Sequence, residues 1–326
     1  ICEDLSRRDF TINAIALRVD RLLADPFHGV DDLRDGIIRC VGDPDNRFQE
    51  DPLRVLRALR FAATYDFEIE AHTKEAIHRN AWRLCDVSAE RIRDELCKIL
   101  LADGVLEILL DFPDVICAII PEMEPCVGFD QDNKYHQYTV YEHIAHAVVN
   151  YGGNDLSVLV ALLLHDIGKP QCYTRDENGG HFHGHAAPSR NLAEQVLDRL
   201  KFDNKSKKEI LELVLYHDSQ IEPTQKAIRR WLNKLGPEHV EQLFSMKVAD
   251  ILAHALGTQA ERIRKVKYCQ ELLKEMLRMN QCFSLKDLRI NGSDVMALGV
   301  PQGKLVGDIL NALLQEVISG TISNDR

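Results

Sequence analysis

From Asp51 to about Glu124 the apolar residues recur at helical spacing, with breaks near Asp66, Asp86, Asp103 and Pro113, and a second helical region runs from Val140 to about Gly257. A chain patterned in this way buries apolar stripes helix against helix, so the expected fold is mainly α. Only residues 1 to about 47 read differently, because Thr11 to Val19 and Ile37 to Val41 alternate like the last strands of a mixed α/β head. Residues 125 to 138 form a polar connection, and Arg175 to His185 a Gly- and His-rich loop. Further helices run through Leu273 and on to Val317, with Gly292, Gly299, Pro301, Gly303 and Gly307 marking turns.

The segment Glu50-Asp51-Pro52-Leu53-Arg54-Val55-Leu56-Arg57 carries the sharpest chemical signal. Pro52 suits the first turn of a helix and Asp51 its N-cap. Asp51 and Arg54 then share one helical face and present an acceptor beside a donor. Cytosine and adenine each show an exocyclic amine next to a bare ring nitrogen, whereas guanine and uracil show a carbonyl next to an N–H. A carboxylate plus a guanidinium matches the first pair and opposes the second. An ordinary amphipathic helix, with Leu53, Leu56 and Leu59 inward and Arg54, Arg57 and Arg60 solvated, fits the same residues.

The surrounding motifs decide between these readings. Asp4-Leu-Ser-Arg-Arg-Asp-Phe-Thr-Ile-Asn-Ala14, then Asp25-Pro-Phe-His-Gly-Val-Asp-Asp-Leu33, the Glu50 to Arg57 block, and Ser88-Ala-Glu-Arg-Ile-Arg-Asp-Glu-Leu96 resemble, in that order, the class II tRNA nucleotidyltransferases and bacterial poly(A) polymerases. The resemblance implies that Arg8, Asp9 and Asn13 hold the incoming nucleotide's phosphates and sugar, and that Phe27 to Leu33 form a hinge. It makes Glu50, Asp51, Arg54 and Arg57 the base-reading set, braced by Arg91 and Glu95. Arginine suits triphosphate oxygens independently, since its planar fork makes bidentate bonds. The partners implied are a tRNA 3' end, ATP and CTP, with Mg²⁺ serving nucleotidyl transfer.

In that family the Mg²⁺-binding carboxylates sit on an Asp-x-Asp strand upstream of the arginine-rich motif, which falls before Ile1. The sequence is therefore expected to be a fragment whose catalytic residues for nucleotidyl transfer lie upstream, able to bind nucleotide without joining it.

A second constellation is histidine-based, with seven of the thirteen histidines falling between His136 and His185. His143, then His165-Asp166-Ile167-Gly168-Lys169, then Asp250 resemble the HD metal-dependent phosphohydrolase superfamily. Imidazole and carboxylate suit a divalent ion of unspecified identity. Adjacent His165 and Asp166 reach one ion only near a helix end, which Gly168 and Pro170 supply. His185 and His217 fall where some members place a second metal or phosphate contact. His136, His146, His181, His183 and His254 read as ordinary structural or surface residues. Residues 290 to 311 resemble the closing segment of HD-containing CCA-adding enzymes.

The expected organisation is a remnant of a nucleotidyltransferase head (1–47), a helical neck that binds RNA and nucleotide (48–125), an HD-type helical domain (126–257) and a helical tail (258–326). The expected function is CCA addition to tRNA 3' ends, with A-only or poly(A) addition left open. The alternative is an HD phosphohydrolase acting on RNA-end or nucleotide phosphoesters.

Composition fits a cytoplasmic globular protein. Nine cysteines without a Cys-x-x-Cys pair argue for reduced thiols, not a disulfide framework or zinc ribbon. The longest apolar run, Val158 to Leu164, is far short of a membrane span, and no signal-peptide pattern is seen. The net charge of -11 does not exclude RNA, because phosphate binding needs local cations. Such clusters occur at Arg54, Arg57 and Arg60, at Arg79 and Arg83, at Arg91 and Arg93, and in two later groups, Lys226 to Lys234 and Arg262 to Lys267, that read as solvated helix faces.

Overall fold

The computed structural model describes residues 1–17, 22–133, 135–177, 179–257, 259–279 and 281–325. Among them the strands are all two or three residues long and pair only in twos. Ala16–Leu17 runs antiparallel to Leu23–Ala24, and Ile37–Ile38 runs parallel to Glu68–Ile69. The alternating run from Thr11 does not extend as a strand. Thr11–Asn13 is a 3₁₀ turn, because the Thr11 hydroxyl donates to the Asp32 carboxylate at 2.7 Å and its N–H is taken by the Arg39 carbonyl. The end of that run, residues 18 and 19, lies outside the described residues.

Two Asp-Pro pairs follow, and they behave differently. Asp43 caps the Pro44–Glu50 helix, accepting from the Asn46 N–H. Asp51 does not cap the next helix as the sequence predicts. It is extended, as residues before proline are, and closes Pro44–Glu50, while Arg54–Tyr65 begins three residues later with Leu53 at its N-cap. Arg54–Tyr65 buries Val55, Leu56, Ala58 and Leu59 completely and packs on Ala89–Leu100. Asp66 ends it in the left-handed region, at φ 56°.

The central element of the second half is Leu156–Leu164. It starts at Asp155, whose carboxylate accepts from the Ser157 and Val158 N–H groups, and every residue from Val158 to Leu164 is buried. A helix apolar on all sides has to be enclosed. Val140–Asn150, Asn204–Tyr216, Pro237–Leu252 and the neck helix Ala89–Leu100 enclose it. One continuous apolar core consequently runs from Phe10 to Ala253, across residues 47/48 and 125/126. A second cluster ties Ile228, Leu232, Val240 and Phe244 to Cys269, Leu272, Leu273 and Met276 on Gln259–Arg278. Gly307 lies inside Lys304–Ser319 and does not mark a turn; a single glycine costs a helix about 1 kcal/mol relative to alanine without ending it. All nine cysteines are free, and among the described residues no helix is long and apolar enough to cross a membrane.

Candidate metal centre and nucleotide-reading face

Because Leu156–Leu164 occupies the middle of the core, its C-terminal end delivers His165 and Asp166 to the centre of the second half. Gly168 lets the chain turn there against the Ala186–Arg199 helix, donating its N–H to Ser189 Oγ at 3.0 Å. A Cβ at Gly168 would stand 2.4 Å from the Ser189 backbone nitrogen. Gly168→Ala is therefore expected to lower stability by about 1–3 kcal/mol, read as a shifted urea midpoint.

His143 and Asp250 arrive from Val140–Asn150 and Pro237–Leu252, and His185 and His217 from the start of one helix and the end of another. His143 Nε2 lies 3.0 Å from Asp250 Oδ1 and 3.3 Å from Asp166 Oδ2. His165 Nε2 lies 3.2 Å from Asp166 Oδ2. The other Asp166 oxygen is 3.1 Å from His185 Nε2 and 3.6 Å from His217 Nε2. Asp166 thus stands between two groups, His143, His165 and Asp250 on one side and His185 and His217 on the other.

Each of these four histidines directs Nδ1 at a backbone carbonyl: His143 at Ala253, His165 at Leu162, His185 at Phe182 and His217 at Val214. Donation from Nδ1 leaves Nε2 of the neutral ring as a bare lone pair pointing inward. Two such lone pairs, on His185 and His217, face each other at 3.0 Å. That contact is repulsive unless a cation or a proton lies between them. His165 Nε2 is buried and has no hydrogen-bond partner among the described residues. Inward-facing ring nitrogens plus one buried and one half-buried carboxylate fit a divalent ion.

The electrostatics divide the imidazoles: burial is outweighed by Asp166, which pushes His165 up to about 10 and holds His185 above its usual value, so in the metal-free centre a proton stands on these rings where an ion would bind. Burial pushes the Asp166 carboxyl up, but His165, Lys169 and His185 outweigh it and hold it well below the usual carboxylate range. Asp250 is held down in the same way, burial being outweighed by His143 and His165. Burial pulls the His143 imidazole down to about 4, which keeps it a neutral ligand at neutral pH.

Sequence reasoning passed over three contributors. Lys169 is buried, 2.6 Å from Asp166 Oδ2 and 2.8 Å from Gln131 Oε1. Its spacing of three from Asp166 was the available signal. His136 and His254 line the cleft, their ring centres 5.3 and 5.0 Å from that of His143. Burial and Lys169 push the His136 imidazole down to about 2.

On the neck, the arginines that an ordinary amphipathic helix would leave solvated are instead paired. Arg57 meets Asp9 at 2.6 Å and Arg60 meets Glu95 at 3.2 Å. Arg54 bonds Glu50 at 2.9 Å and the Arg7 carbonyl at 3.0 Å. Asp51 does not present its carboxylate beside Arg54: one oxygen accepts from the Leu53 N–H and the other from Arg91 at 2.8 Å. Asn13 donates to Asp9 at 3.2 Å, while Arg8 stays exposed beside Asp4. Asp9, Asn13 and Arg57 thus form one bonded group and Glu50 with Arg54 a second, which reaches the same segment through the Arg7 carbonyl; Arg8 is bonded to neither, and Asp51 pairs with Arg91.

Residues 1–39 match the family described as Poly A polymerase head domain, residues 66–110 the RNA and SrmB- binding site of polymerase A, and residues 186–326 tRNA nucleotidyltransferase domain 2. An A-adding tRNA nucleotidyltransferase of Deinococcus radiodurans is 33% identical over 340 residues, covering 99% of this chain and 77% of that protein. A CCA-adding enzyme of Ligilactobacillus salivarius is 30% identical over 99% of this chain and 69% of its own length. The Bacillus stearothermophilus CCA-adding enzyme in complex with CTP superposes with a TM-score of 0.68 at 25% identity, over 99% of this chain and 71% of that one. Agreement in sequence and in fold over nearly every residue makes this protein a member of the tRNA nucleotidyltransferase family.

Proposed function

We propose that this protein adds C, C and A to tRNA 3' ends, accepting CTP and ATP and refusing UTP and GTP. The observation that carries the reading is the bonding of Arg57 to Asp9 and of Arg54 to Glu50, in a chain whose relatives include CCA-adding enzymes, one of them bound to CTP. In this reading Arg8 and Arg57 take triphosphate oxygens, and Asp9 and Asn13 take the sugar. Asp51 accepts the base's amine N–H and Arg54 donates to its ring nitrogen, each exchanging its bond to Arg91 or Glu50 for one to the base. Arg91 and Glu95 keep the two neck helices in register. The carboxylates here do not fit the Mg²⁺ of nucleotidyl transfer, since Asp9, Glu50 and Asp51 are each neutralised by an arginine.

The test is extension of a tRNA ending at the position before CCA, by protein that carries the family's Asp-x-Asp strand. CTP with ATP is expected to give a three-nucleotide product, CTP alone a two-nucleotide product, and ATP alone none. Addition of A only, and only to a tRNA already ending in CC, would replace this reading with the narrower activity named for the Deinococcus relative.

A second reading rests on a separate observation, the histidine centre with its opposed His185 and His217 nitrogens. There we propose an HD-type phosphohydrolase. His143, His165, Asp166 and Asp250 would hold a divalent ion, with His185 and His217 reaching a second ion or a phosphate. Such an ion lowers the pKa of its bound water and polarises a phosphoryl oxygen. The protein's own part is to fix the four imidazole orientations through the backbone carbonyls and to enclose Asp166.

A further inference from the structure

The histidine centre stands at the junction of two cavities. The larger, of about 830 Å³, is lined by His136, Lys169, His183 and His185. The smaller, of about 380 Å³, is lined by Pro223, Phe244 and Val266 together with Ser219, Glu222 and Lys247. His217, Asp218, Asp250 and Arg262 line both. Lys247 fixes the partition from the side of the smaller cavity, donating to the His217 and Ser219 carbonyls. Arg262, on Gln259–Arg278, is exposed and has no hydrogen-bond or ion-pair partner among the described residues. An unengaged guanidinium at the mouth of a two-sided site is a natural grip for a phosphoryl group.

We propose that Arg262 binds the phosphoryl oxygens of a phosphodiester whose two substituents occupy the two cavities, a proposal that rests on the phosphohydrolase reading above. A phosphomonoester has a substituent for only one of them. The smaller cavity is within the usual size of a small-molecule site, and Pro223 and Phe244 in its lining offer apolar contact to one substituent. In the hydrolysis, water adds its oxygen to phosphorus and the bond from phosphorus to one substituent's oxygen breaks. That oxygen takes the proton water gives up, leaving a monoester and an alcohol with no change of oxidation state.

The experiment compares bis(p-nitrophenyl) phosphate with p-nitrophenyl phosphate on the metal-reconstituted protein, measuring binding by calorimetry, hydrolysis by released nitrophenol, and metal content. The diester is expected to be bound and cleaved in preference. Arg262→Ala should weaken diester binding roughly 10- to 100-fold with metal content unchanged, as loss of a charge-assisted bond requires. Arg262→Lys should restore part of it. Diester binding by Arg262→Ala within about twofold of the unaltered protein, or a monoester handled as well as the diester, overturns the proposal. Arg262-dependent diester binding with no hydrolysis of either ester would uphold the binding site and reject the phosphohydrolase reading.

Discussion

Asp166→Ala is expected to strip the histidine centre of its divalent ion and to reduce phosphoester hydrolysis by at least about 100-fold, because changes merely beside a metal's ligands already cost 10–100-fold. Asp166 is the one group that touches both halves of the centre, within 3.3 Å of His143 and His165 on one side and 3.1 Å of His185 on the other. Without it, imidazoles and Asp250 alone face the ion. The alanine also leaves Lys169 buried without its 2.6 Å counter-charge, a loss that destabilises on its own account. Asp166→Asn, which keeps the shape, separates the two effects. It is expected to retain the circular dichroism of the parent while losing the metal, measured by elemental analysis. Retention of stoichiometric metal and hydrolysis by either variant would show that Asp166 is not a ligand.

The second large effect concerns nucleotide choice. Asp51→Ala is expected to abolish most of the preference for CTP and ATP over UTP and GTP, by about 1–3 kcal/mol or roughly 5- to 150-fold in relative kcat/KM. The fold should survive, because Asp51 and Arg91 are both partly exposed and such a pair contributes little to stability. Arg91→Ala supplies the control: it removes the same ion pair and leaves the carboxylate in place. If Arg91→Ala shifted selectivity as far as Asp51→Ala while Asp51→Asn left it intact, Asp51 would act only by positioning the turn into Arg54–Tyr65. Incorporation of each nucleotide into tRNA by protein carrying the family's Asp-x-Asp strand, measured singly and in competition, distinguishes these outcomes.

Much of the architecture was legible because its causes are local. The break at Asp66 is a left-handed helix end, and the one at Pro113 is a proline at the first turn of Pro113–Ile119. The histidine centre was legible as a set because His143, the His165-Asp166 pair and Asp250 follow one another in the order of a known superfamily. The helix start near Asp51 was misread because Asp43-Pro44 and Asp51-Pro52 carry the same local signature. Only the three-dimensional arrangement decides that the first aspartate caps a helix while the second closes one. The pairings Arg57–Asp9 and Arg60–Glu95 were hidden for a different reason: they join residues 48 and 35 positions apart, and helical spacing alone makes such arginines look solvated. Gln131 could not be anticipated, since a glutamine in a polar connection carries no sign of a buried lysine 38 residues later.

The all-apolar helix that ends in His165 packs directly on the neck helix that carries Arg91 and Glu95, inside one unbroken core. A change that loosens Leu156–Leu164 is therefore expected to be felt on both sides, at the histidine centre and at the helix carrying Arg91 and Glu95. For the family's history this has a sharp consequence. A lineage that ceased to use the histidine centre could not discard the segment, because its removal would unmake the support of the base-reading face. The scaffold would be inherited whole, while individual ligands, released from duty, drifted one at a time.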